Sequence, residues 1–113
     1  TTPALASELF FSATRPQADV ICYQGRLQDE SYRAFLDMLA LDLVDSKRVS
    51  RVPLLVLGAE HDAIVTPRET RGIAAHYGTE AEVFPDLAHD VMLEPGWRAV
   101  AERMQSWLTA PGL

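Results

Sequence analysis

At 113 residues, 48% hydrophobic and 23% charged, the chain has the composition of a globular protein of one domain or less and is not a disordered tail. Its net charge of −6 and pI near 4.9 exclude a surface built to bind phosphate backbones. Lys47 is the sole lysine and the arginines are scattered, so no nucleic-acid partner is expected.

Residues 1–50 read as helical. Leu5, Leu9 and Phe10 have helix-compatible spacing within Ala4 to Ala13, and Thr14-Arg15-Pro16 breaks the pattern. From Pro16 to Leu27, Ala18, Ile21 and Cys22 share helical spacing, with Gly25 as the stop. Asp29 then serves as the expected N-cap of a helix. Along it Tyr32, Phe35, Leu36, Leu39 and Leu43 form an apolar stripe, with Asp37 and Asp42 off it. Asp45-Ser46-Lys47-Arg48 is a polar link.

Residues 51–113 have another character. Leu54-Leu55-Val56-Leu57 is apolar without alternation, as in a strand buried on both faces of a parallel sheet, and Gly58 closes it. Thr66-Pro67-Arg68-Glu69 combines an N-cap hydroxyl, Pro at the first helical position and Glu at the third, which predicts a capping box. The helix places Thr70, Ile73, Ala74 and Tyr77 on one face and stops at Gly78. Glu80 to Phe84 forms a second strand closed by Pro85. Trp97, Val100, Ala101, Met104, Trp107 and Leu108 form the stripe of a last helix, which Pro111-Gly112 ends.

Strand, helix and strand in this order make a βαβ unit, with both strands ending on one edge. A helix from Pro67 to Tyr77 spans about 16 Å, and strands of about five residues span roughly the same, so the unit closes without strain. Asp62 lies after the first strand and His89 after the second, on the carboxyl edge where open α/β sheets place their chemistry. There a carboxylate can hold the Nδ1 proton of an imidazole whose Nε2 acts as general base. Taken singly, such an Asp is most often a turn or capping residue and such a His a solvated bystander. The pairing of strand ends is what favours chemistry.

At these residues the chain resembles the C-terminal part of the α/β-hydrolase fold, specifically lysophospholipase or monoglyceride-lipase-like serine esterases. Pro53-Leu54-Leu55-Val56-Leu57-Gly58 with Asp62-Ala63-Ile64-Val65-Thr66-Pro67 is similar to that family's strand, acid loop and helix start. His89-Asp90-Val91-Met92-Leu93-Glu94-Pro95-Gly96-Trp97 is similar to its histidine loop and last helix. The resemblance covers about residues 52–108. It implies an α/β fold, a βαβα portion of a parallel sheet over residues 51–113, preceded by a helical cap-like segment over residues 1–50. It also implies that Asp62 is the triad acid, with Glu60 as a lesser alternative, that His89 is the general base, and that the substrate is a small-molecule ester.

The family's Gly-x-Ser-x-Gly elbow is absent, because none of the six glycines brackets a serine. Acyl transfer needs nucleophile, base and oxyanion donors at one centre, so the expected partner is a nucleophile-bearing upstream segment. The chain does not begin with Met, which fits a start inside a longer product or a processed protein. A second expectation, from another class, is a truncated, non-catalytic product that persists by association with itself or with a partner chain, since two strands leave apolar faces and edges uncovered.

No cofactor is implied. His61 beside Asp62 raises a metal reading with His89, but no His-x-x-x-His pair supports it. His76 suits a helix C-terminus, and Cys22 suits packing. Phe10, Phe11, Tyr32, Phe35, Leu36, Met38 and Leu39 could line an acyl-chain pocket, although helix packing explains them better. A single cysteine, no apolar run of roughly 20 residues and no leader pattern at Thr1-Thr2-Pro3 predict a cytoplasmic protein without a transmembrane segment.

Overall fold

The computed structural model describes residues 2–29, 31–37, 49 and 52–110. In chain order these form α1 (Pro3–Phe10), α2 (Gln17–Gln24), α3 (Tyr32–Leu36), β1 (Val56–Ala59), α4 (Pro67–His76), β2 (Ala81–Phe84), a 3₁₀ turn (Val91–Leu93) and α5 (Trp97–Leu108). The class is α/β, with β1 and β2 paired in parallel as a two-stranded sheet and α4 as the crossover between them. The expected continuation of the third helix through Met38, Leu39 and Leu43, the link at Asp45-Ser46-Lys47-Arg48 and the stop at Pro111-Gly112 lie outside the described residues. No helix among the described residues is long and apolar enough to cross a membrane.

The register runs Val56↔Ala81, Leu57↔Glu82, Gly58↔Val83 and Ala59↔Phe84. β1 therefore sits two residues later than the apolar run suggests, and Gly58 lies inside the strand rather than ending it. Apolarity marks burial; pairing begins where a partner is available, and β2 starts only at Ala81. Alternation divides β1 between two helices. Leu57 and Ala59 pack with Phe84, Leu87 and Val100 on the α5 side. Gly58 faces α4, where an added Cβ would stand 2.8 Å from Thr70 Cγ2. On the α5 side, the Arg103 Nε–H of α5 donates to both carboxylate oxygens of Glu82, at 2.9 and 2.7 Å, and the Arg103 Nη2 group also pairs with that carboxylate. This forked pair holds the glutamate below the usual carboxylate range and the guanidinium above its own.

Helix α4 starts as its sequence predicts. The Thr66 hydroxyl accepts from the Glu69 N–H at 3.4 Å, while the Glu69 carboxylate accepts from the Thr66 N–H at 2.8 Å. Thr70 and Ala74 are the residues it buries, whereas Ile73 is 46% exposed. The helix closes at Tyr77, and Gly78 turns the chain at φ 71°. In α5 only Val100 is buried; of the rest of the expected stripe Trp107 is half-buried, while Trp97, Ala101, Met104 and Leu108 are exposed.

The N-terminal helices make a second small core of Ala6, Phe11 and Val20, against which Phe10, Tyr23 and Leu93 pack. α2 presents Val20 to it, so Cys22 and Ile21, which the sequence placed on the packed face, are exposed. The spacing of an apolar stripe does not say which side of a short helix finds a neighbour. Ser31 rather than Asp29 caps α3, its hydroxyl accepting from the Ala34 N–H at 3.3 Å. Tyr32 and Phe35 are exposed while Phe11 is core, so the aromatic set expected to pack or line a pocket is not one surface.

The contact at Gly58 sets the distance between sheet and crossover helix. Gly58→Ala is expected to destabilise the chain by about 1–3 kcal/mol through overpacking. Adding Thr70→Ala should restore part of the loss in urea unfolding, because it removes the Cγ2 atom nearest the new methyl group.

Candidate functional site

Two backbone bonds carry the parallel pairing past the strand ends. The Glu60 N–H donates to the Phe84 carbonyl at 2.9 Å, and the His61 N–H to the Leu87 carbonyl at 2.8 Å. The Asp62 N–H turns back to the Ala59 carbonyl at 3.3 Å. Asp62 and His89 are thereby delivered to the same edge by adjacent loops.

Asp62 is a turn residue and a histidine partner together. Its Oδ1 accepts from the Ile64 and Val65 N–H groups, both at 2.8 Å, which orients the carboxylate on its own loop. Nδ1 of His89 lies 3.1 Å from Oδ1 and 3.0 Å from Oδ2. The aspartate side chain is 10% exposed and the imidazole 33%. Burial pushes the Asp62 carboxyl up, but the Val65 N–H, the His89 ring, the Ile64 N–H and the nearby His89 charge together outweigh it and hold the group below its ordinary 3.8. An ionised carboxylate can only accept, so in the neutral ring Nδ1 carries the proton and Nε2 the lone pair. That is the tautomer a general base requires.

Both side chains border a cleft of about 240 Å³ whose other walls include Leu57, Ala59, Phe84 and Val100. The Phe10 ring lies 6.0 Å from the His89 ring, tilted by 48°. Beside His89, burial pushes the Asp90 carboxyl up; the His89 charge opposes this, and the charges of Glu94 and Asp62 add to it.

His61 does not join His89. It groups with Glu60 and Asp86, three exposed side chains whose ligand-type atoms lie within 4.8 Å of one another. Glu60 Oε2 accepts from the Asp86 N–H at 3.1 Å, a bond that holds the Asp86 turn at φ 58°. His76 sits in the last turn of α4, as expected, edge-on to Tyr77.

Sequence reasoning missed Glu94 and Ser12. Glu94 is fully buried, and its carboxylate accepts from the Ser12 N–H at 2.5 Å and from the Ser12 hydroxyl at 2.8 Å. The local signal was a charged residue inside the otherwise apolar run Val91-Met92-Leu93-Glu94-Pro95. No protein-family model matches the chain, and no curated protein or solved structure matches it either.

The depressed Asp62 carboxyl fixes the sign of a pH effect. A lowered folded-state value contributes stability that is fully present above the ordinary 3.8 and drains as pH falls through the lower value. Asp62→Asn is therefore expected to melt below the parent at neutral pH. The gap should narrow in paired thermal scans as pH falls past 3.8 and through the lower folded-state value, where the parent loses the contribution the variant never had.

Proposed function

We propose that this chain supplies the acid and base of an ester-hydrolysing serine triad. Asp62 is the acid, His89 is the general base, and the serine is carried by polypeptide outside these 113 residues. The fold is then the C-terminal βαβα portion of an α/β-hydrolase sheet, with residues 1–50 as cap-like helices. The observation that carries this reading is the half-buried, ionised carboxylate of Asp62 on Nδ1 of His89 at a shared strand edge. Within the chain, the Ser12 hydroxyl is committed to Glu94 and Thr14, and no serine is bracketed by glycines.

In this mechanism Nε2 takes the serine proton as the oxygen attacks the ester carbonyl. Asp62 stabilises the imidazolium that results. The proton then passes to the departing alkoxide oxygen, and His89 next activates the water that releases the acid. The apolar walls of the cleft suit an acyl ester better than a charged substrate.

The test uses the full gene product. A fluorophosphonate probe is expected to label one serine, and His89→Ala should cut labelling and ester turnover by roughly 10³-fold or more, with Asp62→Asn acting in the same direction. An upstream reading frame without a Gly-x-Ser-x-Gly, or undiminished labelling in the His89 variant, would sink the assignment.

A second reading is favoured by a different observation. Met92 and Leu108 are each 67% exposed, and with Trp97 and Met104 they leave an apolar face along α5 and the 3₁₀ turn. On this reading the chain is a non-catalytic product that persists by covering that face with another copy. It is expected to elute as a dimer or larger species, and Met104→Asp with Leu108→Asp should shift it to monomer in light scattering. A monodisperse monomer with a sharp thermal transition contradicts this reading.

A further inference from the structure

Glu94 is among the largest fully buried side chains of the chain's described residues, and its carboxylate lies outside the Asp62–His89 pair. A carboxylate fully removed from solvent ordinarily needs a cation or several donors. Among the described residues no cation pairs with Glu94, and its oxygens are served by Ser12 alone, the backbone N–H on Oε1 and the hydroxyl on Oε2. The two residues are 82 positions apart, so this is a tertiary bond between the N-terminal helices and the histidine loop.

Two further contacts join the same segments. The Asp90 N–H donates to the Phe10 carbonyl at 3.0 Å, and the Phe10 ring rests against the imidazole. Residues Phe10 to Ser12 therefore grip the loop at His89, Asp90 and Glu94. Between those points the loop is stiff. The Val91 N–H bonds to the His89 carbonyl, the Leu93 N–H to the Asp90 carbonyl and the Glu94 N–H to the Val91 carbonyl. A 3₁₀ turn tied in this way transmits the position of Glu94 to His89.

We propose that Glu94 and Ser12 form a clasp that positions the imidazole of His89 against Asp62, making Glu94 a positioning residue for the general base. The proposal rests on the acid and base reading of Asp62 and His89. It extends that reading by making the geometry of the base depend on docking of the first twelve residues. Asp62 needs no such help, because its carboxylate is oriented by the N–H groups of its own loop.

The chain contains three histidines, so selective ¹⁵N-histidine labelling yields three ring systems, with His61 and His76 as internal controls. In the parent chain the His89 ring is expected as the Nδ1–H tautomer with a protected Nδ1 proton. Glu94→Ala should speed exchange of that proton by about tenfold or more and let the ring sample both tautomers, the scale expected when two hydrogen bonds at a buried acceptor are lost. Glu94→Gln should restore parent behaviour, since its amide can accept from the Ser12 N–H and donate to the Ser12 hydroxyl.

If Glu94→Ala fails to fold by circular dichroism, Ser12→Ala and Phe10→Ala carry the test, each expected to speed exchange by about threefold. Parent-like His89 signals in folded Glu94→Ala, or in both milder variants, overturn the clasp. Rapid exchange and mixed tautomers at His89 in the parent chain overturn the pairing with Asp62 itself and the clasp with it. The two failures are thus told apart by whether the parent or only the variants depart from expectation.

Discussion

The parallel register of β1 on β2 is the constraint from which the rest follows. It is only four residue pairs long, yet the bonds from Glu60 to Phe84 and from His61 to Leu87 carry it into the loops. A slip of one residue would exchange the faces of each strand. It would turn Leu57 and Ala59 toward α4, set a side chain against Thr70 where Gly58 now gives room, and part Glu82 from Arg103. Each of these contacts penalises the slip independently, so a short ladder is held in one alignment. Asp62 and His89 meet because that alignment brings the two loop starts level.

The site inherits two different kinds of order. Asp62 is fixed by sequence neighbours, through N–H groups two and three residues ahead that require only a tight turn. His89 is fixed by distance in sequence: a carboxylate across the sheet edge, a ring from α1 and the anchoring of Glu94 to Ser12. Local order survives loosening of tertiary packing, whereas the second kind disappears with it. Asp62 is the robust partner of the pair, and His89 is the conditional one.

This division also explains what the sequence disclosed. The capping box at Thr66, the stop at Gly78 and the span of α5 are written in residues within a turn of one another, and the structure has them where the pattern put them. Asp62 and His89 could be singled out because a βαβ unit ties strand ends to chain order. The start of β1 was misjudged because Leu54 and Leu55 are apolar without having a partner in β2. Cys22 faces solvent, against its expected inward place, because Val20, two residues back and on the opposite side of α2, is the side chain that meets Ala6 and Phe11. The charge inside an apolar run marks Glu94 locally, but its pairing with Ser12 is out of reach, since nothing local says that a serine near one end will satisfy a carboxylate near the other.

Among the described residues Glu94 is met by hydrogen bonds from Ser12 and by no cation, which bears on how the two halves communicate. An ion pair there would tolerate displacement, because charge attraction falls off slowly with distance. Hydrogen bonds from a single serine do not: they weaken steeply once the donor leaves the lone-pair direction or the distance grows. A buried carboxylate held only by such bonds therefore favours one docking geometry of the N-terminal helices over near neighbours of it. The same rigidity reaches His89 through the 3₁₀ turn and the bonds that flank it between His89 and Glu94. A charge that is expensive to bury thus acts as a selector of position rather than as a source of stability. Its value to the fold lies in where it obliges the histidine loop to sit.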